Sequence, residues 1–545
     1  MTERARATHR TGAFLLGALA ALAAGAAACS LSQEGVMPPA DTLFFPSAAV
    51  MPPDGQWLFV TNSNADLRYN DGTLAMLNVG PDVVATTADG TLTLHGAASD
   101  RARPGQWAVC PQENYVTPLP RSTPPTCCWD VLDSNILNCD ERLYVQPDAT
   151  VRIGSFAAGM AWQTYCDGAC AQQEGCPFDK TGARLIVGVR GDTSVTWVDV
   201  VPAAGGPRPS LHCRQDGNVA PLAECTQKVT SMRPNLLTEA GDTNAPDVQL
   251  PDEPYALTLD KDRDLLYVGH LVGNTSTPDS GGISVFNVSL NSSAPSAAGF
   301  PPEPAFITPT SSPFPASSTG AFGITDLRLH APLGSDPAGS QEIFASSRYL
   351  PLVTSLSPFL SGGQSAMQFN CGDNSDVVLL GGPDSLATGL VGSEIRGVAF
   401  LDPPPSAPDD GQRVFALQRL PPALVGFEVN RTASGGLTVV PTSVIETCSG
   451  PTFLYQNTQP GDGMRLYVNC FDTGEIYVFD PTIPSLLTTL QVGRGPAGMV
   501  FDPSLPVAYV LNFSQNDIAV VDLQRGSPTE DHVIQRIGFP STTPR

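Results

Sequence analysis

Histidine and basic side chains are what this sequence has least of. Six histidines occur in 545 residues, and 29 lysines and arginines stand against 53 aspartates and glutamates, a formal net charge of −24. A field of that sign repels phosphate backbones, which excludes nucleic acid as a partner. Tryptophan is scarce too, and all five copies lie at or before position 197. After the N-terminal region, no stretch approaches the roughly 20 apolar residues of a membrane span. Several catalytic signatures are also missing: Gly-x-Ser-x-Gly, a phosphate loop, a dinucleotide fingerprint, His-Glu-x-x-His and Cys-x-x-Cys-His.

Glycine (51) and proline (52) are abundant, only 15% of residues are charged, and 41% are hydrophobic. Glycine and proline punctuate turns and break helices, so this is the balance of a turn-rich β protein with enough apolar surface to bury a core. Arg4, Arg6 and Arg10 precede an apolar run from Ala13 to Ala28, the layout of a secretory signal. The run ends in Ala26-Ala27-Ala28-Cys29, which resembles the bacterial lipobox. That resemblance implies a signal peptide over 1–28 and a lipid on Cys29, with the membrane reached through that anchor only. Ala26 stands where the lipobox favours a larger aliphatic residue, and ordinary cleavage after Ala28 is the alternative. Ser30 is compatible with outer-membrane sorting, which makes the expected location periplasmic or cell-surface. Residues 29–41 read as a flexible tether, 42–540 as one domain and 541–545 as a tail.

With Cys29 set aside, twelve cysteines remain: Cys110, Cys127, Cys128, Cys139, Cys166, Cys170, Cys176, Cys213, Cys225, Cys371, Cys448 and Cys470. An oxidising compartment converts an even set of this kind to disulfides. Adjacent Cys127 and Cys128 admit either a vicinal disulfide or two separate bridges. A vicinal pair occurs in some quinone-cofactor dehydrogenases that are themselves propellers, but their tryptophan-docking repeats are missing here. The Cys166-x3-Cys170-x5-Cys176 spacing lacks the paired two-residue gaps of zinc sites and has no histidine nearby.

Internal repetition decides the fold. Arg465-Leu466-Tyr467-Val468-Asn469 is followed by Glu475-Ile476-Tyr477-Val478-Phe479-Asp480. About forty residues on, Ala508-Tyr509-Val510-Leu511-Asn512 is followed by Asp517-Ile518-Ala519-Val520-Val521-Asp522. Each phrase is a β-branched and aromatic strand, a polar turn and a second alternating strand, which makes a hairpin. Five earlier copies begin at Trp57, Leu185, Leu266, Ile343 and Val414. Small-residue strands precede several of them, as Ala157–Trp162, Pro254–Asp260, Arg396–Phe400 and Gly495–Asp502, and these suit a crowded axis. Fourth strands follow the last two hairpins, at 486–492 and 532–537. The expected fold is therefore all-β, a seven-bladed β-propeller of four-stranded antiparallel blades with disulfide-rich loop insertions. Phe59-Val60-Thr61-Asn62, Tyr467-Val468-Asn469 and Tyr509-Val510-Leu511-Asn512 resemble the YVTN family of bacterial propeller repeats. Insertions are expected at 97–149 and 202–250 between blades, at 163–180 on the opposite face, and as a linker over 301–318.

Candidate ligand-binding residues lie in the hairpin turns: His270, Asn62, Asp66, Asp472, Asn512 and Asp517. The Asn62-Ser63-Asn64-Ala65-Asp66 run alternates oxygen side chains, and calcium is the one cofactor this spacing admits. The leading reading is an envelope binding or scaffold protein with an envelope protein or glycan as ligand, no catalytic residue and no cofactor. Its rival is a propeller enzyme, either a metal-dependent hydrolase or lactonase, or a quinone-dependent oxidoreductase, with its site in the central funnel.

Overall fold

The computed structural model describes residues 35–80, 108–115, 122–165, 182–202, 208–214, 221–232, 248–272, 282–288, 323–330, 342–348, 393–402, 412–431, 437–459 and 463–540. It also describes the strands Val84–Thr87, Gly90–Thr93, Ala305–Pro309, Leu352–Ser361, Ala366–Asn370 and Val377–Leu379. Helix is confined, among these residues, to three short 3-10 turns, and no helix is long and apolar enough to cross a membrane.

All seven hairpin phrases form hairpins in register, from Trp57↔Asn78 in the first to Asn512↔Asp517 in the last. A short inner strand precedes each: Pro46–Val50, Ala157–Thr164, Pro254–Asp260, Ile324–His330, Ser393–Leu401, Pro451–Gln459 and Pro496–Phe501. Each inner strand stands against the next, and the last against the first, so the ring is closed. Alternation along the hairpins explains the core, because apolar faces of neighbouring sheets meet. Leu58, Val60 and Leu77 of the first sheet, for example, pack on Tyr509, Leu511 and Ile534 of the last.

The expectation of seven separate four-stranded blades needs correction. Six sheets of four or more strands surround the axis. The third and fourth units are one nine-stranded sheet, because Ala366–Asn370 pairs antiparallel with Leu352–Ser361 and parallel with Ala305–Pro309. An edge strand offers unpaired backbone groups, and here a crossing strand takes up two such edges at once.

The insertions also differ from expectation. The 97–149 segment lies within the first sheet, between its third and fourth strands Gly72–Asn78 and Val151–Ile153. From there Leu137–Cys139 pairs parallel with the outermost strand of the last sheet, His532–Ile537, and Cys127–Trp129 adds beyond it. The first unit thus clasps the last. The 202–250 stretch contains Ser210–His212, the fourth strand of the second sheet, and the 301–318 tract contains the strand Ala305–Pro309. Residues 166–181 lie outside the described residues.

Four disulfides form among the described residues: Cys110–Cys128, Cys127–Cys139, Cys213–Cys225 and Cys448–Cys470. The adjacent Cys127 and Cys128 therefore go to different partners. Cys166, Cys170, Cys176 and Cys371 lie outside the described residues, as do Cys29 and the whole signal region. Disulfides persist in oxidising surroundings, so these four suit an extracytoplasmic protein. The tether expectation holds less of the chain than supposed. Val36 bridges to Tyr69, and the carbonyl of Ala40 accepts from the Thr150 hydroxyl at 2.9 Å, so residues 36–41 are docked on the body.

Candidate functional site

A residue with positive φ stands at the start of each inner strand, just before six of them as Phe45, Phe156, Glu253, Gly323, Gly450 and Gly495, and as the second residue, Glu394, of the fifth. In all seven a register shift follows within the strand's first residues. A bulge re-aims the side chains that follow it. Because the start of each inner strand pairs with the end of the second strand, the lead-ins and the hairpin turns share one face of the ring, and the opening of the axis on that face is the mouth.

The turn residues singled out from sequence do not converge on that mouth. In four repeats the last residue of the second strand pairs with the proline that opens the inner strand: Asn62↔Pro46, His270↔Pro254, Cys470↔Pro451 and Asn512↔Pro496. All four are buried, and each secures the lead-in. Asn62 Oδ1 accepts from the Phe44 N–H at 3.1 Å, Asn512 donates to the Val492 carbonyl at 2.8 Å, and Cys470 is bonded to Cys448. Asn62 also donates to Thr73 at 2.9 Å and Asn512 to Asp517 at 2.7 Å, while His270 Nε2 lies 2.9 Å from the Ser284 hydroxyl. Asp517 is buried and accepts from Gln515 at 2.8 Å. These residues clip the repeat together. Asp66 pairs with Arg68 at 3.0 Å, and Asp472 is exposed. In the run proposed for calcium, Asn64 is spent on Tyr69 and Ser155. No group of three or more His, Cys, Asp or Glu side chains arranged to hold a metal occurs among the described residues.

Because His270 occupies a clip position, it carries a pH signature. Burial drives its pKa down to about 3, although the backbone at Pro251 and Asp252 favours the charged form. The unfolded chain takes up a proton near the ordinary value of 6.5, so stability is unaffected above that pH and is lost as pH falls below it. The loss from this one ring reaches about 2 kcal/mol at pH 5. His270→Asn, which restores the residue of the Asn62 and Asn512 clips, should match the parent at pH 7.5 and outlast it at pH 5 in thermal unfolding. Equal acid sensitivity of the two proteins would count against a buried neutral ring.

The structure brings together a different set. Tyr255 and Phe453, on the third and sixth inner strands, stack at 6.2 Å between centroids and 12° between planes. Beneath them is an axial cavity of about 250 Å³, walled by small residues such as Ala48, Gly159 and Ala497 and entered by Asp326 and Arg328. Asp326 accepts from Arg328 Nε at 2.9 Å and from the Val398 N–H at 3.2 Å. Arg328 donates in turn to the Leu454 carbonyl at 3.0 Å, which ties the fourth inner strand to the sixth.

Above the stack the mouth has two halves. On one, Phe45, Phe513 and Phe471 form a half-buried row with centroids 5.2 and 6.0 Å apart. On the other, Arg348, Arg396 and Arg419 surround Glu394 at 3.2, 3.2 and 3.6 Å, and Arg190 pairs with Glu253 at 2.8 Å. Burial works to raise the Glu394 pKa, but these arginines overcome it and hold the carboxyl below its usual range. The Arg190 guanidinium lies 5.9 Å over the Tyr255 ring. Burial pushes the Tyr255 phenol up, and Arg396, Arg190 and Arg348 act against it.

Sequence reasoning missed this set. The available signals were an aromatic one or two residues after the opening proline, as in Pro254-Tyr255 and Pro451-Thr452-Phe453, and the charged pair Glu394 and Arg396 opening the strand that continues as the small and apolar run 397–401.

No protein-family model and no curated protein matches the chain. Among solved structures, the chain is similar to the periplasmic gluconolactonase of Pseudomonas aeruginosa. The two share 15% identity over 82% of this chain and 84% of that one, with a TM-score of 0.39. It is similar also to hydrazine synthase of Kuenenia stuttgartiensis, at 10% identity over 92% and 99% of the two chains and a TM-score of 0.41. Likenesses at this level say nothing of the site, and the propeller assignment rests on the strand ladders themselves.

Proposed function

We propose that this chain is a binding protein of the cell envelope, a YVTN-type propeller exported by residues 1–28, held by a lipid on Cys29 and receiving its ligand at the channel mouth. The nine-stranded sheet counts, on this reading, as two blades joined at their rims, which gives seven. The observation that carries the reading is the axis itself. Side chains cross it as the Tyr255–Phe453 stack and the Arg328–Leu454 bridge, whereas a metal-dependent hydrolase needs a cluster of ligands converging there. Disulfides and an acidic surface favour the same compartment.

A native mass spectrum of the protein purified from its own membranes tests this. The expected mass is a chain beginning at acylated Cys29, lighter by about two mass units per disulfide and carrying no metal or quinone. A stoichiometric metal or quinone, whose removal abolishes turnover of an ester or lactone, would replace the binding reading with the enzyme. A chain retaining Met1 and free thiols would remove the export reading.

A further inference from the structure

The mouth is a positive island on an acidic protein. Four arginines, Arg190, Arg348, Arg396 and Arg419, meet two carboxylates, Glu253 and Glu394, and so two positive charges stand in excess where the chain as a whole carries −24. Such a local field draws anions out of a surrounding that repels them. Arg396 is only 7% exposed, so only a slim group can reach it. Its Nε and that of Arg190 are buried and have no hydrogen-bond partner among the described residues. Leaving buried donors of a charged group unmade is costly, and a bound acceptor removes that cost.

Glu394 shows which acceptor suits these forks. Its carboxylate sits among three guanidinium groups, one oxygen toward Arg348 and the other toward Arg396 and Arg419. Planar guanidinium forks match planar carboxylates. The Tyr255–Phe453 stack forms an apolar floor beside them.

We infer that the mouth binds a small organic anion bearing more than one carboxylate, held by Arg190 and Arg396 above the Tyr255–Phe453 stack. This deepens the binding reading and rests on it. Arg190 and Arg396 each bring an Nε–H that their own pairings, with Glu253 and Glu394, leave unmade, Arg348 and Arg419 hold Glu394 in place, and the ring faces exclude water beneath the ligand.

Citrate is the probe, titrated calorimetrically into the full-length protein at low ionic strength, with sodium chloride of equal ionic strength and inorganic phosphate as comparisons. Citrate is expected to bind one to one and more tightly than phosphate. Arg396→Gln and Arg190→Gln should each weaken it by about tenfold or more, given the strength of charge-assisted hydrogen bonds. Glu394→Gln removes the internal competitor and should tighten citrate several-fold, a gain that misfolding cannot mimic. A flat titration, affinity indifferent to all three substitutions, or phosphate binding more tightly than citrate would each overturn the carboxylate assignment. None of these outcomes touches the binding reading, which the native mass spectrum judges on its own.

Discussion

Asp199→Ala should lower the stability of the fold by about 3–5 kcal/mol, the cost of leaving a buried charge without its partner. Arg184 is completely buried between the second and third strands of the second sheet, 0% exposed. Its Nε donates to Asp199 Oδ1 at 2.7 Å, and a terminal nitrogen donates to Oδ2 at 3.2 Å. The Tyr165 hydroxyl donates to the same carboxylate at 2.6 Å, and Trp197 lies 5.9 Å from the guanidinium. Removing the carboxylate strands a cation and a phenol in low dielectric, where neither finds water. The double replacement Arg184→Met with Asp199→Leu should recover most of the loss, since apolar side chains of similar volume often substitute for a buried ion pair without penalty. Urea midpoints followed by near-ultraviolet circular dichroism report both. A single variant as stable as the parent would mean that the pair is solvated, contrary to its burial.

Opening either disulfide of the clasp should cost about 3 kcal/mol, the closure entropy expected for loops of this size. Cys127–Cys139 spans 12 residues and Cys110–Cys128 spans 18. Both fasten the insertion of the first sheet while it pairs with the last, through Gln535↔Leu137, Arg536↔Asn138 and Ile537↔Cys139. The Gly538 N–H donates to the Cys139 carbonyl at 2.8 Å, Gln535 hydrogen-bonds Tyr144, and Phe539 packs on Cys110 and Cys128. Without the clasp, His532–Ile537 becomes an open sheet edge at the seam of the ring. Cys127→Ala with Cys139→Ala should therefore lower the unfolding midpoint and admit protease within 108–145 before the rest of the chain. The same variant without a lower midpoint, or cut elsewhere first, would show that the seam is held by the inner strands alone.

The hairpins were legible in the sequence because a period of two in β-branched and aromatic residues is a local property, fixed by alternating burial along each strand. Inner strands were legible where small residues cluster, as at Ala157–Trp162. The Pro301–Ser318 tract was misread as linker because its composition hides the strand Ala305–Pro309, which exists by pairing with Ala366–Asn370 and Phe286 rather than by propensity. Asn62, His270 and Asn512 were misread as ligand-facing because a polar residue beside a turn looks the same whether it points to solvent or into the repeat. Register against Pro46, Pro254 and Pro496 decides, and register is not visible in one strand.

Sequence alone determined that the chain is all-β, built of repeated hairpins around an axis and rich in disulfides, since these follow from residues near one another in the chain. Tertiary structure alone decided that six sheets share the seven inner strands, that the first unit's insertion closes the ring, and that Arg190, Tyr255, Glu394, Arg396 and Phe453 meet at one mouth. Those residues come from three inner strands and one hairpin turn, separated by as many as 263 positions from Arg190 to Phe453. Only closure of the ring, with a bulge turning each inner strand, brings them within reach of one ligand.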